Sequence, residues 1–107
     1  MKKSMIKVSV LYPNGEGKTF DMTYYAGKHV NLVGSLLGNA LKGATIESGL
    51  AGGAPGSPAP FLAMGNMYFN SVTEFEQSFG PNAEKIMGDV PNFTNSEPIV
   101  QISEVVA

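Results

Sequence analysis

The chain reads as an α+β domain in which two helices lie over one face of a four-stranded antiparallel sheet. Three observations predict this. Four segments alternate apolar and polar residues at the strand period, and two repeat apolar residues at the helical period. These segments follow one another as strand, helix, strand, strand, helix, strand. Finally, 107 residues make one domain, able to bury roughly two-thirds of the surface its unfolded chain exposes. Residues 1–107 are therefore taken as a single domain, with residues 1–4 a loose N-terminal tail.

In the first strand, residues 5–12, Ile6, Val8, Val10 and Tyr12 share one face, and Pro13-Asn14-Gly15-Glu16-Gly17 breaks it as a turn. Asp21 is a good N-cap for a helix that runs to a natural stop at Gly38. At 100° per residue Met22, Tyr25, His29, Leu32, Val33 and Leu36 fall within an arc of about 100°, with the only histidine near its centre. Residues 41–50 form the second strand, with Ala44, Ile46 and Ser48 on one face. The Gly/Pro-rich run that follows, from Ala51 to Pro60, reads as a long mobile hairpin connection. It lacks the Gly-Lys-Ser/Thr ending of a phosphate loop.

The third strand, residues 61–69, sets Phe61, Ala63, Gly65, Met67 and Phe69 against Leu62, Met64, Asn66 and Tyr68. Ser71-Val72-Thr73-Glu74 is a capping box for the second helix, whose stripe is Val72, Phe75 and Phe79. Gly80-Pro81 interrupts it, and Pro81 restarts a piece carrying Ala83, Ile86, Met87 and Val90. Residues 98–106 are the last strand. With right-handed crossovers this order gives the split βαβ, ferredoxin-like arrangement. Both faces of the third and fourth strands carry large apolar residues, yet two helices cover only one face. The bare face, with Leu62 and Met64 or their opposite set, predicts a two-fold homodimer.

Composition narrows the function classes. The absence of cysteine removes disulfides, thiolate metal sites and a cysteine nucleophile. Seven basic and nine acidic residues are scattered, giving net charge −2 and no basic stripe for nucleic acid. Apolar runs are too short to span a membrane, and the basic Met1-Lys2-Lys3-Ser4 leads into no apolar signal core. The expectation is a soluble, cytoplasmic protein with no membrane or nucleic-acid partner. A lone histidine without carboxylates at ligand spacing predicts no metal site and no cofactor.

His29 is the candidate acid or base, since imidazole titrates near neutrality. Tyr25, one turn earlier on the same face, would orient the ring or a ligand oxygen. Tyr12 and Asn66 would add polar contacts, and Phe61 and Met67 an apolar wall for a small organic ligand. The alternative is a core histidine satisfied by a backbone carbonyl or by Tyr25, because unpaired ring nitrogens in an apolar setting cost roughly 1–3 kcal/mol. Asp89 reads as a helix-end or turn carboxylate, and no Ser-His-acid set stands out. Gly27 and Gly34 share one helix flank and predict close approach of another backbone, from the second helix or a partner subunit.

A resemblance spans about residues 5–106. Ile6-Lys7-Val8-Ser9-Val10-Leu11-Tyr12-Pro13, Phe20-Asp21-Met22-Thr23-Tyr24-Tyr25 with Lys28-His29, and Pro58-Ala59-Pro60-Phe61 resemble the EthD (ethyl tert-butyl ether degradation) family. So do Phe69-Asn70-Ser71-Val72, Phe79-Gly80-Pro81, Asp89-Val90-Pro91-Asn92-Phe93-Thr94 and Pro98-Ile99-Val100-Gln101-Ile102. The resemblance implies a ferredoxin-like protomer pairing its sheet with a second copy's as a dimeric α/β barrel. It also implies an accessory or ligand-binding role in bacterial catabolism of ethers or related compounds. A cofactor-independent isomerase, cyclase or monooxygenase using His29 is the alternative. Where the family's helix usually reads His-x-Pro, this chain has His29-Val30-Asn31, which restores a backbone donor and predicts an unkinked helix.

Overall fold

The computed structural model describes residues 4–107. The strands are β1 (Ile6–Pro13), β2 (Gly43–Ser48), β3 (Phe61–Phe69) and β4 (Ile99–Glu104). They form one sheet in the order β2-β3-β1-β4, every neighbouring pair antiparallel. The helices are α1 (Met22–Tyr24), α2 (Val30–Leu37), α3 (Val72–Phe79) and α4 (Ala83–Gly88). This is the predicted ferredoxin-like α+β fold. Of the expected N-terminal tail, residues 1–3 lie outside the described residues, while the Ser4 amide donates to the Val105 carbonyl at 2.7 Å.

Register decides which residues meet. Val8 lies opposite Met67 and Ile102, Val10 opposite Gly65 and Val100, and Tyr12 opposite Ala63. One core cluster, Val8, Leu37, Phe69, Phe75 and Ile86, seals one end of the helix–sheet interface. A second, Tyr12, Tyr25, Ala63, Val90 and Phe93, seals the other. The Ser71 hydroxyl accepts from the Glu74 amide at 3.1 Å and starts α3 as expected; the Glu74 carboxylate accepts from that hydroxyl at 3.3 Å.

The first helix departs from regularity. Between α1 and α2, Tyr25–His29 is a π segment in which the Val30 amide reaches back to the Tyr25 carbonyl as well as that of Gly27. A wider turn advances the buried stripe by about one residue beyond it. Leu37 is accordingly buried, with Leu36 and Leu32 only half-buried. The glycine expectation fails within the protomer, because a Cβ at Gly27 or Gly34 would meet nothing within 4 Å. The connection between β2 and β3 carries its own turn, Ser57 amide to Ala54 carbonyl and Gly52 amide to Ser57 carbonyl, and Asn14 ties its end to β1 through Pro60 and Ala59.

Leu62 and Met64, on the face away from the helices, are half-buried. More exposed apolar residues lie on β4, the edge strand, with Ile99 on the outer face at 53% and Val100 and Ile102 on the helix side at 50% and 44%.

Candidate functional site

A cavity of about 160 Å³ separates the two core clusters, lined almost wholly by apolar surface. Its walls come from all four strands, the first helix and the α3–α4 arm; Val8, Val33, Ile46, Met67, Phe75 and Ile86 are among its lining residues. A dry cavity of about this volume holds a single six-membered ring.

Its polar side is built by the π segment. Asp21 accepts from the Tyr24 amide at 3.0 Å and aims the chain into the helix, and its own amide donates to the Phe93 carbonyl at 2.7 Å. That second bond lays the segment after α4 along the start of the helix. Tyr25 and His29, 3% and 5% exposed, then point inward with their rings stacked, centroids 5.6 Å apart. Phe93 packs across both, 4.7 Å from the imidazole and 5.0 Å from the phenol.

Asp89, at the C-cap of α4, meets the imidazole: its Oδ2 lies 2.9 Å from His29 Nδ1. Its other oxygen accepts from the Tyr24 hydroxyl at 2.7 Å and the Asn92 amide at 2.9 Å. Burial pushes the Asp89 carboxyl up, but hydrogen bonds from Tyr24, Asn92 and His29 outweigh it and hold it below the usual carboxylate range. A carboxylate only accepts, so the pair places a proton on Nδ1, and Nε2 is the ring nitrogen that Asp89 does not engage. Nε2 has no hydrogen-bond partner among the described residues. This constellation is what the sequence reading missed. Asp89 is the expected helix-end carboxylate, but nothing in its spacing, 60 residues from His29, announces the pairing.

Tyr25 reaches the sheet at Gly65, where a Cβ would collide with its hydroxyl; only glycine leaves that room. Tyr12 stands edge-on to it, ring centroids 5.5 Å apart. Burial, then the neighbouring Tyr25, pushes the Tyr12 hydroxyl far above its ordinary range. Burial pushes Tyr25 up to about 12, partly offset by the neighbouring Tyr12 hydroxyl. Both phenols stay protonated.

Of the residues expected at the site, Tyr12, Tyr25, His29, Asn66 and Met67 all border the cavity. The Asn66 amide, however, is spent on Glu47 at 2.9 Å and Thr45 at 3.2 Å, on the opposite face of the sheet. Phe61 does not border the cavity; it sits at the start of β3 opposite Pro13. The residues that alternation could not supply are Asp89 and Phe93, while Gly65, placed by alternation on the inner face of β3, gains its role only from the approach of Tyr25. Among the described residues no group of three or more histidine, aspartate or glutamate side chains is gathered for a metal ion, and no helix is long and apolar enough to cross a membrane.

The EthD domain family matches residues 14–97. The chain is 42% identical to an EthD-like protein of Ralstonia eutropha JMP134, covering 99% of this chain and 96% of that one, and its crystal structure superposes with TM-score 0.92. An ethyl tert-butyl ether (EthD) family protein of Bacillus halodurans C-125 is 20% identical over 94% of this chain and 97% of that one, with TM-score 0.62. A dimeric protein of ferredoxin-like fold from Bacteroides fragilis NCTC 9343, 9% identical over 97% and 99% of the two chains, shares the fold at TM-score 0.52. No protein of curated function matches. The matched domain, covering most of the sequence, and the near-complete superposition on an EthD-like structure lead to one conclusion: the chain belongs to the EthD family.

Proposed function

We propose that the protein binds a small, mainly apolar organic compound in the cavity between helices and sheet. In this reading it acts as a cytoplasmic homodimer in bacterial breakdown of ethers or related compounds. The observation that carries the binding reading is the lining itself, an apolar hollow with His29, Tyr25 and Tyr12 gathered on one side. Apolar walls with a few convergent polar groups are the usual make-up of a small-molecule site.

A second observation favours chemistry over mere carriage. The imidazole is held by Asp89 on one nitrogen and left free on the other, the arrangement that orients a general base. His29 then accepts a proton from the bound compound, Asp89 stabilises the imidazolium that results, and Tyr25 holds an oxygen of the ligand. No cofactor is needed for such a transfer.

Titration of the protein with benzene, followed by NMR of the methyl groups of Val33, Ile46 and Met67, tests the binding reading. Saturable shifts confined to these residues are expected, and Val33→Trp, which fills the hollow, abolishes them. No saturable shift in the wild type overturns it. His29→Ala separates a carrier from an enzyme: a carrier keeps its function with binding intact, whereas an enzyme retains binding and loses turnover.

A further inference from the structure

We propose that the compound this cavity takes is a neutral carbonyl compound with a C–H beside the carbonyl, its oxygen on Tyr25 and that C–H facing His29. This rests on the binding reading above and names the substrate class of that same site.

No lysine or arginine lines the cavity, so a carboxylate or phosphate would lose its hydration with no cation to replace it. Thr45 and Asn66 border it, but both side chains are engaged with each other and with Glu47. What remains is two phenols and one imidazole, all within the tightly buried set. The Tyr25 hydroxyl lies against Gly65 at the cavity wall, with no acceptor among the described residues, so its hydrogen is open to an outside acceptor. His29, with Nδ1–H given to Asp89, offers an outside lone pair. The site thus presents one donor and one acceptor on adjacent stacked rings, 5.6 Å apart at their centroids. A ketone or aldehyde presents the complement, an acceptor oxygen and, one carbon away, a hydrogen that can be removed as a proton.

The step balances without any co-reactant. The Nε2 lone pair takes the proton, and the C–H electron pair becomes the carbon–carbon double bond of the enolate. The carbonyl π pair moves onto oxygen, where the Tyr25 hydroxyl stabilises it. Reversal returns a proton from Nε2 to carbon; in heavy water that proton is a deuteron after exchange with solvent.

Three probes of similar size test this on the intact protein: cyclohexanone, methylcyclohexane and cyclohexanecarboxylate. Cyclohexanone is expected to bind at least about tenfold more tightly than either of the others, as one well-placed hydrogen bond allows. Tyr25→Phe should remove its advantage over methylcyclohexane while leaving methylcyclohexane binding within about twofold. In heavy water the wild type should speed deuteration of cyclohexanone beside the carbonyl, and His29→Gln should return the rate to background. Equal binding of ketone and hydrocarbon, tighter binding of the carboxylate, or deuteration that survives His29→Gln overturns the inference. The comparison of three ligands on the wild type needs no variant to fold. Methylcyclohexane binding without ketone preference sinks only this inference, whereas failure of all three to perturb the cavity sinks the binding reading itself.

Discussion

At the scale of single residues, Asp89 is the group whose removal tells most. It accepts from three donors, Tyr24, Asn92 and His29, and an asparagine there turns one accepting position into a donor. Asp89→Asn should lower proton transfer by His29 about 100-fold or more while ligand binding changes by less than about twofold. The ¹⁵N spectrum of the His29 ring should show the proton moved from Nδ1, a signature that a merely structural role would not produce. The same residue sets an acid limb of stability. Its carboxyl is held lower in the folded chain than in the unfolded one, so its contribution is complete above the unfolded value of about 3.9. It fades as pH falls from there through the folded value. The melting-temperature advantage of wild type over Asp89→Asn should therefore be flat near neutrality and vanish in strong acid.

At the scale of elements, the π segment Tyr25–His29 explains why a stripe drawn at 100° per residue holds for Tyr25 and His29 and then slips. Residues before the wide turn keep their phase; beyond it Leu37, outside the expected stripe, becomes the buried residue, while Val33 and Leu36 pack half-buried against the core. Asn31 does let the helix run on to Leu37, as the missing proline implied, but through this turn rather than as a regular helix. Gly34 sits in α2 with open space where a Cβ would go. Gly34→Ala should then raise stability by up to about 1 kcal/mol, the helix-propensity difference, read as a higher melting temperature. The close packing expected from its spacing with Gly27 demands the opposite sign.

At the scale of the whole molecule, helices cover one face of the sheet, and the exposed apolar residues of β4 lie on both faces, Ile99 on the outer one and Val100 and Ile102 on the helix side at the sheet edge. Ile99 lies opposite Leu11 on the face away from the helices, and Leu11 in turn lies opposite Met64. If the proposed homodimer pairs these faces, Ile99→Lys buries an unpaired charge at the seam. Light scattering should then show the variant at half the wild-type mass with its circular dichroism unchanged. A wild type that already runs as a monomer would remove the dimer from the proposal.

What the sequence determined alone is everything that depends on neighbours along the chain. Alternation placed Val8 and Tyr12 inside and bounded β3, side-chain oxygens of Asp21 and Ser71 started their helices, and the helical period turned Tyr25 and His29 inward. These are short-range effects, written within a few residues of where they act. The imidazole's partner was decided only by tertiary structure, because it comes from the far end of α4 once the Phe93 carbonyl docks on Asp21. The hollow beside it was decided the same way, since it is the space that two separately packed core clusters fail to fill. No local pattern encodes a contact between segments that meet only after the sheet has formed.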